Sequence, residues 1–389
     1  MCLIAEKKLR INRLFTEKIV TLQKNNMMYL HERKQWWKFK YDNDKIVNLL
    51  GMVRAKQGLM LGRMTSLGFD FQDDAMLTTM SLELVRSSEI EGENLNLSEV
   101  RSSIARRLGI NSAGIVPSSR YVEGIVEMLI DATQNYNEPL SNERLFGWHN
   151  VLFPTGRSGL YKIEVGKYRT GEMQVISGAM GKERVHYQAP KPQRVAEEMN
   201  IFIKWFNENT EIDGVIKAAI AHLWFVSIHP FDDGNGRIAR AITDMLLARS
   251  ENCSRRFYSM STEIKLMQKE YYAVLEHTQK GNGDITEWIV WFLNCFDKAL
   301  NSTKTILSSV LEKNKFWEQH NGIDFNERQH KIINMLFDSF FGKLTSSKWA
   351  KINKCSNDTA LNDINDLVAK GILVKNKEGG RSTSYSLVK

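Results

Sequence analysis

The run His229-Pro-Phe-Asp-Asp-Gly-Asn-Gly-Arg-Ile-Ala-Arg240 decides how this chain reads. It is a polar loop between two apolar helical stretches, Val215 to Ile228 before it and a segment carrying Ile238, Ile242, Met245 and Leu246 after it. Pro230 stops the first helix, and Gly234-Asn235-Gly236 gives a pliant backbone entering the second. A glycine-rich turn feeding a helix N-terminus aims unpaired N–H groups and the positive end of the dipole at one point, which makes an anion site. Arg237 and Arg240, three residues apart, lie on one helix face. Two guanidiniums beside such a nest suit a polyphosphate better than a single carboxylate. Asp233 offers a hard oxygen for Mg²⁺, and His229 is the one group here able to take a proton near neutral pH. Phe231 reads as the apolar pin that ties the loop to the core. Singly, each feature has a bland reading as a structural histidine or an ordinary turn. A metal hydrolase using His222 would leave the two arginines unexplained, so the joint occurrence decides.

Outward from this loop, nearly every long segment has helical periodicity. Ile46, Leu49, Leu50, Val53, Met60, Met64 and Leu67 mark one apolar stripe, stopped by Gly68. Further helices are expected over 73–91 (Gly92 as left-handed stop), 98–108 (Gly109 stop), 121–134, 141–153, 192–206 and 215–228, from Gly236 onward, and around Tyr271 and Trp288. From Gly166 to Pro190 the pattern turns strand-like, a short β-hairpin in an otherwise helical body. The fold class is therefore all-α with a small β-hairpin.

The string 229–240 matches the Fic motif, His-x-Phe-x-Asp/Glu-Gly-Asn-Gly-Arg-x-x-Arg, at every defined position. The chain resembles the Fic subgroup with an extra N-terminal helical domain, over roughly residues 36–299. The resemblance implies protein adenylylation: AMP moved from ATP to a Ser, Thr or Tyr hydroxyl of a target protein, the chain itself included, with Mg²⁺ as cofactor. His229 would be the base and Asp233 the metal ligand. Asn235 and the amides of Gly234 and Gly236 would hold the α-phosphate, and Arg237 and Arg240 the β- and γ-phosphates. The nucleotide would lie along the whole run Asp233 to Arg240, Ile238 and Ala239 included. The hairpin takes the position of the family's flap, whose edge can pair with a target segment. Its Val175-Ile176-Ser177-Gly178 matches the part beside the nucleotide, and Tyr271 and Gln279 match positions on the adenine side. Ser87-x-x-x-Glu91-Gly92 matches the inhibitory pattern, so Glu91 is expected to form a bidentate ion pair with Arg240 that keeps ATP in an unproductive pose. The resemblance leaves self-association into a homodimer and the reverse, AMP-removing reaction open.

The expected organisation is a basic extension at 1–27 (Met27 or Met28 being alternative starts), an N-terminal helical domain at 28–114, the catalytic domain at 115–300, a linker at 301–325, and a module at 326–389. Three helices followed by a basic turn at Gly379-Gly380-Arg381 give that module the layout of a winged helix-turn-helix. Lys348, Lys351, Lys354 and Arg381 could meet phosphates, whereas Asp358, Asp363 and Asp366 on the expected recognition helix argue for weak nucleic-acid contact or none. A DNA-binding regulator whose core senses a nucleotide is the rival reading; it would need neither His229 nor Asp233. The net charge of +8 belongs to the two ends. Residues 1–27 carry six Lys/Arg against two Glu and 326–389 eleven against six acids, so the body between them nets −1. Four widely spaced cysteines and no apolar run long enough to span a bilayer read as a cytoplasmic protein with reduced thiols and no membrane contact.

Overall fold

The computed structural model describes residues 28–66, 68–110, 115–178, 182–338, 340, 342–376 and 383–388. The basic extension at 1–27, Leu67, Gly181 and the Gly379-Gly380-Arg381 turn lie outside the described residues.

The helices are α1 Asn43–Thr65, α2 Phe69–Ile90, α3 Leu97–Leu108, α4 Arg120–Gln134, α5 Asn142–Leu152, α6 Pro192–Asn207, α7 Gly214–Ile228, α8 Asn235–Glu251, α9 Met260–Leu266, α10 Gln268–Gln279 and the long α11 Thr286–Gln319. Their starts are set by side chains that satisfy the first orphan amides: Asp42, Asn96, Ser119, Ser141, Asp213 and Ser259 each accept from an amide two or three residues on. Gly92 (φ +83°) and Gly109 (φ +66°) supply the left-handed stops after α2 and α3. Between α5 and α6 lie two small antiparallel pairs, β1 Arg157–Ser158 with β2 Tyr161–Lys162, and β3 Gln174–Ser177 with β4 Arg184–Gln188. The second pair is the expected hairpin, with a bulge at Val175/Ile176. The first was not foreseen; two-residue strands carry no readable period.

At the centre α7 is buried along its whole length, from Val215 to Ile228, which is why its sequence is apolar all round. It packs against α8, and one continuous core runs from Ile46, Val53 and Leu84 in the N-terminal helices to Phe225, Ile238 and Trp288 in the body. The segments expected as separate domains at 28–114 and 115–300 thus share one interior. Glu83 of α2 fastens them further, accepting from Ser259 Oγ (2.8 Å), the Ser261 amide (2.9 Å) and Ser261 Oγ.

The expected linker at 301–325 is corrected by the structure. The helix α11 continues to Gln319 because Val310 and Phe316 bury apolar faces there, and the non-helical connection is only 320–326. Beyond it, α12 Glu327–Asp338, α13 Ser346–Asn353, α14 Asn357–Ala369 and the antiparallel pair β5 Leu373–Lys375 with β6 Tyr385–Leu387 surround a second core of Ile332, Ile333, Trp349, Ile364 and Leu367. Asp363, counted above among acids facing a ligand, is 6% exposed and clamped by Arg328 at 2.6 and 2.9 Å. Asp366 is bound by Gln329 and Lys370. Of the three acids Asp358 and Asp366 remain exposed, and only Asp363 is withdrawn into the interior. No helix among the described residues is long and apolar enough to cross a membrane, and Cys253, Cys295 and Cys355 are free thiols.

Candidate active site

The loop between α7 and α8 is built as its sequence suggests, with differences in detail. His229 ends α7 in the left-handed region (φ +53°), and Gly234 (φ +81°) opens α8. A Cβ at Gly234 would lie 2.9 Å from the Phe153 ring, so only glycine fits. Phe231 is fully buried and stacks on His149 at 4.3 Å, pinning the loop as expected.

Around His229 the imidazole is partly exposed, and its Nδ1 faces the Val226 carbonyl at 3.2 Å. A ring nitrogen facing a carbonyl carries the hydrogen, so Nε2 keeps its lone pair. Desolvation, then the nearby Arg169 guanidinium, hold its pKa down to about 4; the ring is a neutral base across the physiological range. His149 fixes the far side of the loop: its Nδ1 accepts from the Gly166 amide and its Nε2 donates to the Asp233 carbonyl, each at 3.2 Å. The Asp233 carboxylate accepts from the Gly234 amide at 2.5 Å and from Ser158 Oγ, and is about one-third exposed.

Asn235 departs from expectation. Its side chain is 2% exposed and wholly engaged with Phe231, accepting from that amide at 2.9 Å and donating to that carbonyl at 2.8 Å. It staples the loop and can offer a phosphate only its backbone N–H. Ile238 and Ala239 are fully buried, so their side chains belong to the core. Tyr271, expected beside the base, is 2% exposed with its hydroxyl 2.8 Å from buried His222 Nε2; it is a packed aromatic, and the neighbouring Tyr272 reaches toward the end of α2, its hydroxyl 3.5 Å from the Ile90 carbonyl. Gln279 is 6% exposed and donates to Ser227 Oγ at 3.2 Å. Val175, Ile176 and Ser177 lie half-buried on β3, with Gly178 in a φ +110° turn.

Both arginines of the loop are buried, Arg237 at 2% and Arg240 at 3% exposure, and both are occupied. Glu91, at the end of α2, reaches Arg240 Nη2 with one oxygen at 2.8 Å. The contact is single rather than the expected two-pronged pair, and Arg240 Nε also donates to Ser87 Oγ (2.8 Å) and Nη2 to the Ser87 carbonyl (3.0 Å). The same Glu91 oxygen would lie 2.2 Å from a Cβ placed on Gly236. The carboxylate therefore sits directly over the first turn of α8, where an anion is favoured. It is held there by the body: Lys265 Nζ donates to the Glu89 carbonyl at 2.7 Å, and Gln268 Nε2 to the Ile90 carbonyl at 2.9 Å.

Three residues escaped the sequence reading. Glu93 and Tyr121 bind Arg237 Nη1 at 2.9 and 2.6 Å and bond each other, so two carboxylates two residues apart take the two arginines. The one hint was a second acid across the left-handed Gly92. The third, Arg169, is 2% exposed and donates to the carbonyls of His229 (2.8 Å), Gly171 (2.8 Å), Pro190 (2.6 Å) and Ile228 (3.4 Å). Replacing it with Met would strand these acceptors and should cost about 4 kcal/mol, measured as a lowered urea midpoint, with loss of activity as the His229 loop loosens.

Buried neutral histidines also set an acid limit. Burial, then Arg240, lowers the His222 pKa to about 3, below its unfolded value near 6.5. Its stabilising contribution is present above pH ~6.5 and is lost as pH falls toward the folded pKa. Between pH 7 and 5 the parent should therefore lose roughly 2 kcal/mol more stability than His222→Gln, read from urea midpoints of the two proteins.

Residues 139–247 match the Fic/DOC family, and residues 29–110 match a domain of unknown function, DUF4172. The protein adenylyltransferase Fic of Nematostella vectensis is 25% identical over 225 residues, 56% of this chain and 47% of that protein. The protein adenylyltransferase fic-1 of Caenorhabditis elegans is 25% identical over 186 residues, 45% of this chain and 33% of its own length. The chain thus spans less than half the length of these relatives. A crystal structure of a Fic family protein from Desulfovibrio desulfuricans G20 is similar over 88% of this chain and 96% of that one, at 21% identity and a TM-score of 0.49. A helical body with a histidine, a glycine nest and two buried arginines at one helix junction defines an anion-handling class. Within that class, residues 139–247 carry a Fic/DOC domain.

Proposed function

We propose that this protein transfers AMP from ATP to a hydroxyl of a protein target, and that Glu91 and Glu93 restrain it. The observation that carries the reading is the junction itself. A neutral imidazole acceptor, an amide nest at a helix N-terminus and two guanidiniums converge there, with a carboxylate lying where an anion belongs. On this reading Nε2 of His229 accepts the proton of the target hydroxyl, whose oxygen bonds to the α-phosphorus while the bond to the bridging oxygen breaks and pyrophosphate leaves. The amides of α8 and the guanidiniums carry the phosphate charge, so the protein acts by positioning and electrostatics.

Asp233 suits Mg²⁺, having an accessible carboxylate at the mouth of the nest. Among the described residues no group of three or more His, Cys, Asp or Glu could hold a metal. The ion would draw its other ligands from phosphate and water, and it would supply charge neutralisation of the triphosphate. Glu91 competes for Arg240 and for the space over Gly236, and Glu93 competes for Arg237. The test is a Glu91→Gly protein incubated in cell lysate with labelled ATP and Mg²⁺. The α-label should pass to protein and the γ-label should leave as pyrophosphate; transfer of the γ-label to protein, or no uptake of Mg·ATP by calorimetry, defeats the proposal.

A further inference from the structure

The antiparallel pair β1–β2 buries almost nothing. Ser158 pairs with Tyr161 across a turn of Gly159 and Leu160, and the tip stands in solvent, with Leu160 89% and Tyr161 55% exposed. Of residues 157–162 only Ser158 is not exposed. The pair therefore sends one side chain inward, and its hydroxyl donates to Oδ2 of Asp233. A hairpin that adds so little to the core needs another reason for its shape.

The segment that follows closes on the same two acids. The Glu164 amide donates to Oδ2 of Asp232 at 2.9 Å, and the Gly166 amide donates to His149, whose other ring nitrogen donates to the Asp233 carbonyl. Neighbouring carboxylates are thus treated differently. Asp232 is tied to the backbone of this segment, whereas Asp233 takes the Gly234 amide on Oδ1 at 2.5 Å and the Ser158 hydroxyl on Oδ2. Arg237 Nη2 stands 3.8 Å from Oδ1, beyond hydrogen-bond reach. Ser158 is the one donor to Oδ2 among the described residues. A hydrogen bond on each oxygen fixes the plane of the carboxylate, and each oxygen keeps a further lone pair for a cation.

We propose that Ser158 is a positioning residue for the divalent cation, its hydroxyl holding the Asp233 carboxylate in the orientation that receives Mg²⁺. The inference rests on the assignment of Asp233 to Mg²⁺ made above. Carboxylates that ligate metals are themselves hydrogen-bonded, and removing the partner weakens metal binding by roughly 10–100-fold. Without the hydroxyl, a carboxylate one-third exposed to water gains rotational freedom that it must surrender when the ion binds. The phosphates are met by the α8 amides and the two guanidiniums, which Ser158 does not touch, so the nucleotide itself should be held as before.

The experiment titrates Mn²⁺, a paramagnetic stand-in for Mg²⁺, into full-length Glu91→Gly protein with α,β-methylene-ATP, whose α–β bridge does not break. Bound Mn²⁺ is followed by electron paramagnetic resonance. Adding Ser158→Ala should raise the Kd for Mn²⁺ by about 10-fold and leave the affinity for the nucleotide without metal unchanged. Ser158→Thr, which keeps the hydroxyl, should restore the Mn²⁺ affinity. Equal Mn²⁺ affinity with and without the hydroxyl, an equal loss of metal-free nucleotide binding, or a loss that threonine leaves unrepaired overturns the inference. Asp233→Asn tests the assignment beneath it: Mn²⁺ bound as tightly by that variant would sink both, whereas dependence on Asp233 with no dependence on Ser158 would sink the inference alone.

Discussion

Glu91→Gly should label lysate proteins from α-labelled ATP about 100-fold faster than the parent chain. The Glu91 side chain is 16% exposed and its partner Arg240 3%, so the pair is mostly dehydrated. Separating such a pair costs on the order of 3 kcal/mol, and ATP must meet that cost before its terminal phosphates can replace the carboxylate. Removing it in advance returns about two powers of ten in rate. Arg240 keeps its position after the change because Ser87 holds it independently through Nε and Nη2. Glu93→Ala should add a smaller gain, about threefold, since the Glu93 side chain is 40% exposed and a solvated partner is worth little. Equal rates for parent and Glu91→Gly, with Mg·ATP bound by both, would show that the carboxylate restrains nothing.

The second large effect concerns the base. In the Glu91→Gly background, His229→Asn should lower lysate labelling by about 10³-fold, within the range of general-base catalysis, and leave the affinity for Mg·ATP nearly unchanged. Asparagine is the informative replacement because residue 229 has φ +53°. An alanine there would add backbone strain, whereas Asn tolerates the left-handed region. A loss of both labelling and binding would mean that the residue shapes the loop rather than takes a proton.

The loop was legible because its chemistry is local. Twelve consecutive residues hold the proposed base, the acid, the glycine turn and both arginines, and helical spacing alone aligns Arg237 with Arg240. Glu91 was legible only through resemblance, since an acid at a helix end ordinarily faces water. Glu93, Tyr121 and Arg169 were invisible because their partners lie 144, 116 and 60 residues away in sequence. The side-chain engagement of Asn235 was hidden for a different reason. Its amide suits a phosphate as well as it suits the Phe231 backbone four residues back, and only the closed loop shows which claim wins. Between Tyr271 and Tyr272, adjacent on one helix, the direction of packing decides, and His222 supplies it. The stretch 301–319 was missed as helix although Val310 and Phe316 bury apolar faces along it, whereas the polar composition that begins near Glu318 does mark where α11 ends.

The anchoring of α2 bears on how quickly such a brake could release. Glu83 is bolted into the start of α9, and the last carbonyls of α2 are gripped by Lys265 and Gln268. The helix as a whole is therefore poorly placed to swing aside for an arriving nucleotide. What remains free to turn is one glutamate side chain, a local torsional change far faster than a millisecond rearrangement of a whole helix. Restraint of that kind equilibrates long before any turnover, so it would scale the velocity uniformly and leave progress curves straight from the first moment of mixing.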